Sequence, residues 1–214
     1  MLDGPGEGAR EGGGGEQAGQ TLVEFTMVIP LLVIMLMALL EMALALNASL
    51  AVNRASQHGA HIAATAGNLV GADCLVLESV DRNLGAPNNV GNVSEVIIER
   101  TSLVGNYVDL RQRWQRGGPT DCLMADGSSV KVPYTLVEAT YPEADRCTVL
   151  HGCPTLPSSP STVDNIGVTV RYRHDWVTPL NGALTALISG EEVEGGGGGW
   201  DFEQRNIFRM EPTL

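Results

Sequence analysis

From Phe25 to Leu40 sixteen consecutive residues carry no charge, and after Glu41 the apolar run resumes as Met42 to Leu46. As a helix, the 21 residues from Thr26 to Leu46 rise roughly 31 Å, about the thickness of a bilayer's hydrocarbon core. A helix on the surface of a soluble core keeps a polar stripe, whereas this run is apolar on every face. The pattern predicts one transmembrane helix. Pro30, six residues after Glu24, removes one backbone hydrogen bond near its start and should kink it locally. Ahead of the run, Met1 to Gly19 holds eight glycines, one proline and no apolar stretch beyond Leu2. That composition predicts a disordered leader over residues 1–19.

Past Leu46 the helical period continues as a stripe of small residues: Ala51, Ala55, Gly59, Ala63 and Gly67. Four-residue spacing puts them on one face, where small side chains let a second helix approach closely. This predicts a packing seam, either toward a sister subunit or filament neighbour or against the chain's own domain, within a transmembrane and extended helix over 20–71.

From Ala72 the period changes. Asp73 is positioned to cap a short helix, Cys74 to Leu84, with Gly85 as a stop and Pro87-Asn88-Asn89 as a turn. Alternating runs at Val93 to Arg100, Val130 to Thr140 and Gly167 to His174 predict strands. Thr178 to Ser189 predicts another short helix, Gly195 to Gly199 a loop, and Asn206 to Glu211 a last strand. Several strands on separate turns behind one long helix predict an α+β fold, with residues 72–214 forming a small domain around an antiparallel sheet.

Charge narrows the function. The 214 residues carry 13 basic against 25 acidic side chains, a formal charge of −12, and one lysine, Lys131. No basic face is available for nucleic acid. A cleaved secretory signal needs a basic leader and a shorter apolar run. Here Asp3, Glu7, Glu11 and Glu16 oppose Arg10, although an Ala43-Leu44-Ala45 site exists. Arg10 and Arg54, one on each side of the run, leave its orientation undecided.

Two carboxylates stand out. Glu24 opens the apolar segment and Glu41 interrupts it, and a carboxylate in hydrocarbon needs a partner. Glu24 also suits the positive end of a helix dipole, and Glu41 a protonated or snorkelling polar position in the membrane. The context of Glu24 is Gly19-Gln20-Thr21-Leu22-Val23-Glu24-Phe25. A glycine, four residues, then a glutamate and an aromatic at the mouth of an apolar helix resembles the cleavage site of type IV prepilins. The order Glu24-Phe25, Ile29-Pro30, Leu31 to Leu40, Glu41 and His58-Gly59-Ala60-His61-Ile62-Ala63-Ala64 narrows the resemblance. It is similar to the TadE-like and TadG-like minor pilins of tight-adherence (Flp) pilus systems. His61 stands where that family usually has arginine, and Phe208 to Pro212 is similar to its final strand.

The resemblance implies a single-pass protein of the cytoplasmic membrane with its C-terminal domain extracytoplasmic. It also implies a prepilin peptidase cutting between Gly19 and Gln20, and Glu24 acting as a registry charge toward a neighbour's new amino terminus. The implied partners are membrane lipid, the peptidase, other pilins and pilus assembly proteins, with no cofactor and no enzymatic activity. A permanently anchored extracellular binding module without a pilus role is the alternative.

On an oxidising face, Cys74, Cys122, Cys147 and Cys153 would form disulfides. Four cysteines allow three full pairings; Cys147 with Cys153 closes a short loop and leaves Cys74 with Cys122, but the sequence does not choose. A zinc set of Cys147, His151, Cys153 and Cys122 matches no familiar ligand spacing. Catalytic motifs are missing from the sequence, and His174-Asp175 with Ser189 makes no triad, because adjacent strand residues point apart.

Overall fold

A computed structural model describes residues 15–85, 88–102, 107–149, 152–153, 163–177 and 199–210. The first helix, α1 (Gly15–Ala66), runs 52 residues without interruption through Pro30. It begins at Gly15, inside the segment whose composition predicts disorder, and it ends before residue 71. Gly67 (φ +60°) and Gly71 (φ +85°) adopt the left-handed backbone that side chains disfavour, and together they turn the chain into α2 (Ala72–Asn83).

Asp73 does not cap α2. Its N-cap is Gly71, and the carboxylate of Glu143 accepts from the backbone N–H groups of Gly71 (2.9 Å) and Asp73 (2.7 Å). A capping oxygen borrowed from 70 residues downstream leaves no local motif to read.

Among the described residues, five strands form one antiparallel sheet in the order β3-β2-β1-β4-β5. They are β1 (Val93–Thr101), β2 (Tyr107–Leu123), β3 (Ser129–Ala139), β4 (Asn165–Asp175) and β5 (Gly199–Arg209). The alternating runs at β1, β3 and β4 become strands within two residues of the expected bounds. The last strand begins at Gly199 rather than Asn206, so Gly199 opens β5 instead of closing a loop. β2 has no counterpart in the sequence reading. Its register with β3 breaks between Arg116 and Thr120, where Gly117-Gly118-Pro119 turns a corner. Beyond that corner the hairpin reaches back toward the start of α2, where Cys122 meets Cys74. Thr178 to Ser189, residues 195–198 and Pro87 lie outside the described residues.

α1 covers β4 and β5, and α2 packs between α1 and β3. The core joins Val52, Ala55 and Ala63 of α1, Val76, Leu77 and Val80 of α2, and Val96, Ile98, Trp114, Tyr134, Val168 and Val170 of the sheet. Ser56 donates its hydroxyl to the Val168 carbonyl (2.6 Å), satisfying both buried groups. At the lower end of α2, Arg116 and the Tyr134 hydroxyl both donate to Asp81. Burial holds the Asp81 carboxyl above its ordinary pKa despite these partners, and burial together with Asp81 pushes the Tyr134 phenol up.

The small-residue stripe is filled from within the chain. A Cβ on Gly59 would sit 3.1 Å from Val80 Cγ2, 3.3 Å from Val168 Cγ1 and 3.5 Å from Val76 Cγ1. Ala55 and Ala63 are fully buried, Gly67 is buried and Ala51 partly so. At Gly59 α1 thus packs closely against both α2 and the sheet. Alanine there needs its neighbours to yield by a few tenths of an ångström, against about 1 kcal/mol of better helix propensity. We expect Gly59→Ala to be near neutral. Gly59→Leu, which has no space for four added carbons, should lose about 3 kcal/mol in denaturant unfolding of the detergent-solubilised chain. A loss below about 1 kcal/mol would mean that α1 is not tightly seated here.

Candidate functional site

The working surface is the lower half of α1. Every large apolar residue from Leu22 to Leu36, together with Leu39 and Leu40, is exposed. Among the described residues this is the one helix long and apolar enough to cross a membrane. In water so long an apolar surface would drive association or insertion. By length and composition this helix could span a bilayer once, and the sheet domain lies on its C-terminal side.

Glu24 sits one turn and a bit beyond Gly19 on this helix, exposed like its neighbour Phe25. The Thr26 hydroxyl donates to the Val23 carbonyl (2.8 Å), as hydroxyls do inside apolar helices. The Gly19–Gln20 bond lies within the opening turns of α1.

Glu41, expected as a polar group of the membrane segment, is buried by the chain's own domain. It is 1% exposed, enclosed where the sheet domain first meets α1. Its Oε1 lies 3.1 Å from His174 Nε2, and its two oxygens accept from the Val177 N–H at 3.2 and 3.3 Å. The partner that a buried carboxylate demands thus comes from the C-terminal end of β4, not from another membrane helix. His174 points at α1 while Asp175 faces solvent, so the two belong to opposite faces of the strand and form no dyad. Glu41 therefore marks where the free apolar rod ends and the helix becomes part of a folded domain.

The far end of the domain is fastened by a second polar cluster. Arg146, fully buried, pairs with buried Asp73 at the start of α2 and lies over the Tyr141 ring. Asp164 Oδ2 accepts from the Tyr141 hydroxyl (2.8 Å) and the Cys147 N–H (2.9 Å), while Oδ1 forms an ion pair with Arg100 Nε (2.8 Å). Burial raises the Tyr141 phenol well above its ordinary pKa, with the Asp164 charge adding to it. Burial likewise raises Glu143, helped by the nearby Asp73. Both disulfides lie near this cluster: Cys74–Cys122 ties α2 to the β2–β3 hairpin, and Cys147–Cys153 closes a short loop. With all four cysteines paired, the zinc set has lost its thiolates.

The arrangement is architectural: a bare apolar rod, a polar lock at its exit and a doubly cross-linked head. The lock's second half, His174, was not singled out as a partner for Glu41, because nothing local in the sequence links residues 133 positions apart. No curated protein and no solved structure matches the chain. Residues 19–61 match the model of the family described as TadE-like protein, and this segment, which contains Gly19, Glu24, Glu41 and Gly59, is where the chain is similar to that family.

Proposed function

We propose that the chain is a minor pilin-like structural subunit of a tight-adherence pilus system, anchored in the cytoplasmic membrane with its sheet domain outside. A prepilin peptidase cuts after Gly19, and the subunit then initiates, caps or supports a thin adhesive filament with other pilins and assembly proteins. The observation that carries this reading is the bare rod itself. Among the described residues, the large apolar side chains from Leu22 to Leu36, with Leu39 and Leu40, stay exposed, and Glu24 stands at the mouth of this run five residues past Gly19. A plain tether needs no carboxylate there.

Cleavage would create a positive charge within five residues of Glu24 in sequence and within reach of the same carboxylate on a neighbouring helix. The new α-ammonium on Gln20 and the Glu24 carboxylate are each costly to take out of water alone, and several kcal/mol are recovered when they meet across neighbouring helices. Exposed Met42, Leu46 and Leu50 extend the apolar surface past Glu41 on the side away from the sheet. A packed neighbour helix would thus have contact beyond the bilayer. An extracytoplasmic head also suits the two disulfides, which persist on an oxidising side.

N-terminal sequencing of the membrane-extracted protein tests the first step. A start at Gln20 supports the reading, whereas an uncut Met1 or a start at Leu46 overturns it. For the second step, Glu24→Gln should leave membrane insertion and unfolding of the head unchanged while abolishing co-purification with the other pilins. Recruitment that survives the change would reduce this molecule to a tethered extracellular module.

A further inference from the structure

The residues around the Glu41 lock have a property the lock does not need. Val177, whose N–H bonds Glu41, is 68% exposed, and Trp176 packs on Trp200 with ring centroids 5.1 Å apart. Trp200 opens β5 opposite His174 and stacks on its ring at 6.3 Å. Trp200 is itself 37% exposed. Two indoles and a bare valine are thus gathered at the end of the sheet that faces the apolar rod.

Their height follows from α1. The 19 residues Leu22 to Leu40 rise about 28 Å, close to the ~30 Å hydrocarbon core, and the polar layer adds roughly 5–8 Å on each side. Glu41 then stands at the boundary, and groups touching it lie within the headgroup layer. Leu44, one turn above Glu41, shares a cavity of about 250 Å³ with Trp176, Tyr172 and Asn92. Indole suits that layer because its ring prefers the apolar side and its N–H the wet side.

We infer that Trp176, Trp200 and Val177 form a foot that seats the sheet domain on the phospholipid interface, so that the unassembled subunit is held at two points, by its rod and by its head. This rests on the membrane-anchored reading of α1. Continuity with the span identifies the occupant as lipid. Among the described residues the same end offers no net positive charge: Arg173 pairs with Asp175 at 3.4 Å, and Asn92 donates to that same aspartate (3.1 Å). Contact with lipid is accordingly apolar, indifferent to headgroup charge and to salt. The two-point hold fixes the tilt of the head before assembly, and extraction into a filament would have to break it.

The test uses the full chain in phosphatidylcholine vesicles whose lipids carry bromine on the upper acyl carbons, a short-range quencher of indole. The chain has three tryptophans, and Trp114 lies in the core. The rod between Leu22 and Leu40 contains none, so flotation with vesicles reports anchoring independently. The expected result is flotation with strong quenching, lost in a Trp176→Phe/Trp200→Phe variant and unchanged when anionic lipid or salt is added. Val177→Trp, at an exposed side chain that puts folding at little risk, should add further quenched emission. Flotation without quenching, quenching that persists in the double phenylalanine variant, or an unquenched tryptophan at 177 would overturn the foot and leave the anchor standing. Failure to float would overturn the anchor and the foot with it.

Discussion

Arg146→Met should be the most damaging single substitution in the head, costing about 3–5 kcal/mol in denaturant unfolding of the solubilised chain. Arg146 is 0% exposed and its partner Asp73 2%, so removing the guanidinium leaves a carboxylate enclosed without its counter-charge. The arginine also fastens distant pieces together. Asp73 begins α2, Tyr141 follows β3, and Asp164 links Tyr141 to Arg100 of β1 and to the backbone of Cys147. Asp73→Asn added to Arg146→Met removes the stranded charge and should restore at least about 1 kcal/mol, since a neutral amide is far cheaper to bury than a carboxylate. A single variant that loses less than about 1 kcal/mol would show that the pair contributes no net hold.

None of that cluster was legible from the sequence, and the reason is distance. Asp73 carries the signature of a helix cap, yet it is committed to Arg146 while Glu143 does the capping. Local patterns were readable where the physics is local. The apolar rod declares itself because lipid requires every face to be apolar, and β1, β3 and β4 declare themselves because each has runs of β-branched or aromatic residues facing the core. β2 was missed for the opposite reason: Arg111, Arg113 and Arg116 dominate its sequence, and Gly117-Gly118-Pro119 signals a turn in what is one paired strand.

The candidate site divides the same way. Gly19, Glu24 and the length of the rod follow from chemistry contained within one helix. For Glu41 the flanking apolar residues give the pattern of a membrane carboxylate and say nothing of the partners the fold brings to it. The pattern is equally that of a helix passing into a protein core, and its partners there, His174 and Val177, come from a strand end 133 and 136 positions away. The small-residue stripe was likewise visible as a seam, but its partners, Val76, Val80 and Val168, come from elements that only the fold brings together.

The two disulfides should contribute unequally, and their loop lengths set the order. Cys74 and Cys122 are 48 residues apart and Cys147 and Cys153 only 6. The loss of unfolded-chain entropy on closing such loops is worth about 4 kcal/mol for the first and about 2 kcal/mol for the second. Cys74→Ala/Cys122→Ala should therefore be the more destabilised of the two double variants. The short loop is also held by hydrogen bonds between Thr148 and Gly152, which would survive loss of its bridge. Cys74–Cys122 instead pins the far arm of the hairpin onto α2 beyond the corner at residues 117–119, where the register with β3 is already broken. Its removal should free that arm, seen as faster amide exchange over residues 120–132 with little change in β1 or β4. Equal losses in the two double variants, or exchange spread evenly over the sheet, would show that the long bridge is not what holds the hairpin against the helix.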